Sequence, residues 1–140
     1  MALSTKLDQK LIGYITVFEN LTKARGKDIF LTEDQLVFIV QGGDAGKAIG
    51  RKGHTIQRLQ WLMKKRIKVI ELSTSAVQFV KNVIDPLRVD ALGVRDKTIV
   101  ISAKDAVTKG KLIGRNGKNL KFLNELLERY FSLHAVVGNL

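Results

Sequence analysis

From Leu7 onward, apolar residues recur at intervals of three and four (Leu7, Leu11, Tyr14, Ile15, Phe18 and Leu21). This spacing predicts one face of an amphipathic helix that ends between Lys23 and Gly26. Ile29, Phe30 and Leu31 mark a short strand over 27–32, the polar stretch 32–35 reads as a turn, and the continuous apolar run 36–40 reads as a buried strand. Gly42, Gly43 and Asp44 break it, with Asp44 placed to cap a short helix running to Ile49. After a glycine loop, Ile56, Leu59, Leu62 and Met63 form a helical stripe, and 67–72, rich in β-branched residues, reads as a strand. The order is αββααβ.

The same order then returns. Ser73, Thr74 and Ser75 form a short linker that offers a cap to a helix carrying Ala76, Val77, Val80, Val83 and Ile84 on one face and stopping at Asp85 and Pro86. Strands are expected at 87–92 and 98–102, joined through 93–97. Asp105 is placed to cap a short helix ending at Ile113. Leu120, Leu123, Leu126, Leu127 and Tyr130 mark another helix, and 133–137 a last strand. So short a linker, without proline or glycine, predicts two halves held in a fixed relation.

Each half carries one copy of an eight-residue string. Gly46-Lys47-Ala48-Ile49-Gly50-Arg51-Lys52-Gly53 recurs as Gly110-Lys111-Leu112-Ile113-Gly114-Arg115-Asn116-Gly117, with six of eight positions identical and an offset of 64 residues. A lone G-x-x-G carries little weight; Gly43 and Gly46 frame one with no repeat behind it. A repeated G-K-x-I-G-R-x-G between helical stretches carries much more. The glycines permit positive φ and close backbone approach. The cations beside them, and a helix that starts just after each loop, suit an anion such as a phosphate backbone.

Charge agrees with that chemistry. The net charge is +11 over 140 residues, and both halves are basic, with 13 basic and 7 acidic residues up to Thr74 and 11 and 6 beyond it. A basic balance spread over folded regions points first to nucleic acid and next to an acidic membrane or protein surface. There are no cysteines and only two histidines, His54 and His134, so disulfides, thiolate metal sites and histidine-rich metal sites are excluded. No apolar run is long enough to span a bilayer and no targeting segment is visible over 1–8, so a cytoplasmic location is expected.

The order αββααβ with an I-G-x-x-G loop resembles the type II KH domain, and two in tandem resemble the KH pair of the NusA family of transcription termination and antitermination factors. With neither a polymerase-binding nor an S1 domain, the chain is similar to the archaeal type. The resemblance implies an α+β fold of two tandem type II KH domains, residues 1–73 and 74–140, each a three-stranded mixed sheet packed against helices. It also implies single-stranded RNA binding, each loop clamping the backbone of about four nucleotides while bases lie in an apolar groove. Carried over, the clamps are Gly50, Arg51, Lys52 and Gly53, and Gly114, Arg115, Asn116 and Gly117. Lys47, His54, Lys111 and Lys118 flank them, while Ile49, Ile113 and the strands 67–72 and 133–137 wall the grooves. Asn116 replaces a cation of the first loop and releases no counterion, which predicts a weaker second clamp.

Further expectations follow. Single-stranded RNA and RNA polymerase or its elongation complex are the partners, with no membrane, cofactor or metal, and the chain is a monomer. Catalysis is not expected, because G-x-x-x-x-G-K-[ST] and G-x-G-x-x-G are both absent and carboxylates stand mostly in turns and caps. A ribosome-associated KH protein bound to ribosomal RNA is the alternative. Long basic extensions, common in such proteins, are not seen. Arg58, Lys64, Lys65, Arg66 and Lys121 are read equally well as solvated helix faces or as RNA contacts. His134 is expected to serve the fold. Trp61 falls opposite the apolar stripe of its helix and is expected to pack beneath the first helix of its own half or against the other half.

Overall fold

A computed structural model describes residues 9–32 and 35–138, so the expected start of the first helix at Leu7, the segment 1–8 and the centre of the 32–35 turn lie outside the described residues. The chain forms two compact units that divide between Ser73 and Thr74. Both are α+β, each with one three-stranded mixed sheet and its helices.

In the first unit, helix α1 (Gln9–Thr22) leads to strands β1 (Gly26–Leu31) and β2 (Gln35–Val40), helix α2 (Ala45–Ile49), helix α3 (His54–Met63) and strand β3 (Arg66–Glu71). Helix α1 ends where the Thr22 hydroxyl donates to the Phe18 carbonyl at 2.7 Å and accepts from Ala24 N–H at 3.0 Å. Lys23, with φ 63°, then turns the chain out of the helix. Its apolar face meets the sheet through Phe18, which stacks on Phe38 with centroids 4.0 Å apart and planes within 7°. Strand β2 is central, antiparallel to β1 and parallel to β3, and its run from Leu36 to Val40 is fully buried. A parallel pair cannot be closed by a hairpin. The crossover from β2 to β3 is made of α2, the glycine loop and α3, so strand pairing itself fixes where the loop sits.

The second unit repeats this with α4 (Ala76–Ile84), β4 (Ala91–Arg95), β5 (Thr98–Ser102), α5 (Ala106–Ile113), α6 (Lys118–Phe131) and β6 (His134–Val137). Strand β5 is again central, antiparallel to β4 and parallel to β6. Ser75 caps α4, its hydroxyl accepting from Gln78 N–H at 3.2 Å, and Phe79 of that helix packs against Tyr130 and Phe131 of α6.

One expectation is corrected here. The strand expected at 87–92 lies at Ala91–Arg95, and the stretch 93–97 is mostly strand. Arg95 pairs with Thr98, leaving a two-residue turn at Asp96 and Lys97, with Asp96 at φ 56°. Residues 85–90 instead turn out of α4, Leu87 N–H bonding the Ile84 carbonyl. The offset between the copies also varies along the chain. The loops are 64 residues apart, whereas Arg66 and His134, which pair with the first residues of β2 and β5, are 68 apart. Helix α6 has 14 residues against 10 for α3, about one extra turn.

Candidate nucleic-acid interface

Both glycine loops take the same backbone path. Gly50 has φ 76° and ψ 173° and Gly114 77° and 168°; Lys52 has 54° and 28° and Asn116 57° and 24°; Gly53 has 74° and 13° and Gly117 75° and 14°. Each loop is a single tight turn, Arg51–Gly53 and Arg115–Gly117, closed by Gly53 N–H to the Gly50 carbonyl at 3.1 Å and by Gly117 N–H to the Gly114 carbonyl at 3.0 Å. Helices α3 and α6 start at once behind them, with no side-chain cap on their first turns. Those turns present backbone N–H groups and the positive dipole end at the loop.

The two glycines of a loop are needed for different reasons. A Cβ on Gly50 would lie 2.7 Å from Thr55 Cβ and 2.9 Å from Thr55 N, and one on Gly114 would lie 2.7 Å from Asn119 Cγ and 2.9 Å from Asn119 N. The first glycine therefore lets the incoming chain cross the first turn of the next helix, in a conformation essentially confined to glycine. Gly53 and Gly117 meet nothing nearer than 3.8 Å and are required only for their positive φ. In the second loop, Asn119 Nδ2 donates to the Lys111 carbonyl at 2.8 Å, tying α6 to the end of α5.

Between the glycines, Arg51, Lys52, Arg115 and Asn116 are exposed, as are Lys47, His54, Lys111 and Lys118 around them. Lys47 Nζ lies 3.4 Å from Asp44 Oδ1, so its charge is partly held by a neighbour. Asp44 does not cap α2 as expected. Its Oδ2 accepts from Arg25 N–H at 2.8 Å, and Glu71 Oε2 accepts from Ala45 N–H at 3.1 Å instead. That bond from Arg25, with Lys47 beside it, holds the Asp44 carboxyl below the usual range. Asp105 does cap α5, accepting from Thr108 Oγ1 and N–H, which lower its pKa in the same way.

Behind the second loop lies a groove of about 400 Å³ between α5, α6 and β6, lined by Ile113, Gly117, Leu120, Lys121, Asn124 and all four residues of β6. Its lining is mostly apolar, with His134, Lys121 and Asn124 as polar groups. Asn124 staples helix to strand: its Oδ1 accepts from Ala135 N–H at 2.6 Å and its Nδ2 donates to the Ala135 carbonyl at 3.2 Å. Gln60 holds the matching place in the first unit, its Oε1 accepting from Ile67 N–H at 3.0 Å. Ile113 stands in the groove wall, and its counterpart Ile49 is 40% exposed at the end of α2. His134, expected to serve the fold, is exposed and belongs to this groove. Alternation along β6 buries Ala135 and turns His134 and Val136 outward.

A KH-domain family model matches residues 13–88, from within α1 to just past α4, and so includes the first loop. The chain belongs to the archaeal NusA-like family of KH-domain proteins. Among NusA-like relatives, the "Probable transcription termination protein NusA" of Halococcus morrhuae is 28% identical over 132 residues, 93% of this chain and 95% of that one. The protein of the same name from Methanococcus vannielii is 30% identical over 119 residues, 82% of this chain and 68% of that one. Among solved structures, that of APE1850 is 30% identical with a TM-score of 0.69, covering 94% of this chain and all of the other.

Two groove residues of this NusA-like chain escaped the sequence. Leu120 and Asn124 sit in the first two turns of α6, where a helix stripe reads as core and a lone amide carries no pattern, whereas the sequence offers Lys121 as either a solvated face or an RNA contact. The four-residue insertion also hid the match between Arg66 and His134. No group of three or more histidines or carboxylates that could hold a metal ion occurs among the described residues, and no described helix is long and apolar enough to cross a membrane.

The loop geometry also gives Asn116 a conformational role. Left-handed backbone is costly for most residues and easier for asparagine. Lys52→Asn is expected to stabilise the first unit by about 0.5–1 kcal/mol, and Asn116→Lys to destabilise the second by a similar amount. Urea unfolding of both variants checks this; a neutral exchange in both directions would remove the conformational explanation.

Proposed function

We propose that this chain is a single-stranded-RNA-binding transcription factor, built of two tandem type II KH domains over 1–73 and 74–140, whose two G-x-x-G loops clamp one nascent RNA strand. The observation that carries the reading is the pair of loops: two separate segments share backbone angles within about 5° of each other, carry exposed cations and open onto uncapped helix starts. In each clamp the helix N–H groups and the arginine hold phosphate oxygens, and the groove behind receives bases. Gly50, Arg51, Lys52 and Gly53, with Lys47, Ile49 and His54, form the first clamp; Gly114, Arg115, Asn116 and Gly117, with Lys111, Ile113 and Lys118, form the second. Relatives named "Probable transcription termination protein NusA" support an activity in transcription, and the elongation complex is the protein partner of this reading.

Two clamps on one strand make the second engagement intramolecular, so long RNA should bind far more tightly than RNA that reaches one clamp, by ~10²-fold or more. The test is fluorescence anisotropy of single-stranded and duplex RNA over a salt series. If each domain neutralises about three phosphates, log affinity against log salt should fall with a slope near −4, at about −0.7 per phosphate for single strands. A slope near zero, or equal affinity for duplex, would overturn the clamp reading.

A further inference from the structure

Helix α3 has an outer face that neither the core nor the groove uses. His54, Arg58 and Trp61, spaced by four and three, form one exposed stripe opposite the buried Leu59 and Met63. Trp61 is 70% exposed, so it does not pack beneath α1 as one expectation had it. Lys64 Nζ stands 5.0 Å from the centre of its ring. Helix α3 contains no acidic residue, whereas α6 places Glu125 at the position equivalent to Trp61 and Glu128 close by. The feature therefore belongs to the first unit alone.

An exposed indole among cations and without carboxylates is poorly suited to solvent and well suited to a nucleobase. Bases stack on aromatic rings irrespective of sequence while neighbouring cations hold the phosphates. Its position fits a strand that continues from the clamp. Gln57, one turn before Trp61, matches Lys121 in the lining of the second unit's groove, and Glu125, which matches Trp61, lies one turn past Lys121 and outside that lining. From Gly53 to Trp61 the helix rises about 12 Å, which about four stacked nucleotides span at 3.4 Å each.

We infer that Trp61, with Arg58 and Lys64, forms an additional subsite for single-stranded RNA, stacking a base that lies beyond the nucleotides held by the first loop. This rests on the reading of the loop as an RNA clamp. The apolar face of a protein partner is the competing occupant; on α3 itself Leu62, 44% exposed, is the one other large apolar side chain exposed, whereas Arg58 and Lys64 supply charge suited to phosphate.

Trp61 is the sole tryptophan, so its emission reports on this position alone. Full-length protein would be titrated with a labelled four-nucleotide and a labelled ten-nucleotide RNA, reading anisotropy of the RNA and emission and acrylamide quenching of the tryptophan. The ten-nucleotide strand is expected to quench Trp61 and shield it from acrylamide, while the four-nucleotide strand binds without doing either. Trp61→Leu is expected to weaken the longer strand roughly 5- to 100-fold and to change the shorter by no more than about twofold; Trp61→Phe should recover most of the loss. If both strands bind the wild type and Trp61→Leu alters neither, the subsite is overturned and the clamp stands. Equal weakening of both lengths, or an emission change with purified polymerase but none with RNA, would also overturn it. If neither strand binds the wild type, the clamp reading fails and the subsite fails with it.

Discussion

Gly50→Ala and Gly114→Ala should each destabilise the unit that carries them by about 2–4 kcal/mol, the sum of a glycine-only backbone conformation and an overlap with the next helix. The added methyl has nowhere to go. At Gly50 it meets the Cβ and backbone nitrogen of Thr55, and at Gly114 it meets the backbone nitrogen of Asn119 as well as its side chain. Side chains can rotate, but the first turn of a helix anchored in the core cannot withdraw without disturbing the packing of Leu59 or Leu123, both buried. Gly53→Ala and Gly117→Ala are expected to cost only about 1–2 kcal/mol, since space is open there and only the positive φ is at stake. Urea denaturation followed by circular dichroism measures all four. Trimming the neighbour in Gly114→Ala/Asn119→Ala should recover a minor part of the loss, because the backbone contact persists. Equal costs at the first and second glycines would show that the loop is freer than its geometry implies.

Charge reversal in both loops is expected to remove RNA binding while leaving the fold intact. Arg51→Asp/Lys52→Asp exchanges two exposed cations for two anions at the mouth of α3, and a loss of ~10²-fold or more is expected from missing phosphate contacts and new repulsion. Arg115→Asp/Asn116→Asp removes one cation only, so a smaller loss is expected. The four changes together should leave no measurable binding to single-stranded RNA. Folding should survive, because Lys52 and Asn116 occupy left-handed positions that aspartate tolerates and none of the four side chains is buried. Anisotropy with a panel of short RNAs gives the affinities, and the melting temperature of each variant shows that structure is kept. A folded quadruple variant that binds like the wild type would make the loops structural turns and move the search to the basic helix faces.

Much of this was legible in the chain. The alternation of helical and strand periods placed most elements of both units to within a residue or two, because the stripes that mark them are the residues the sheets bury, such as Phe18, Leu59 and Leu123. Strand β4 was misplaced because two short alternations, Leu87 with Val89 and Leu92 with Val94, follow one another and either one reads as strand. Only pairing with β5 decides which of them enter the sheet. Asp44 and Asp105 look alike as caps, yet Asp44 turns to Arg25, nineteen residues away, a bond that sequence spacing cannot announce.

By itself the sequence determined the repeat, the order of elements, the basic balance of both halves and the pair of loops in which cations lie between glycines, because those depend on residue type and local spacing. Tertiary structure alone decided which glycine is sterically indispensable, which residues line the groove and where Trp61 points. Those are matters of distance in space, whether the groups that meet are five residues apart, as Gly50 and Thr55 are, or belong to different elements of the unit. The approach of Asn124 to Ala135 across the extra turn of α6 is set by how helix and strand pack, not by any pattern along the chain.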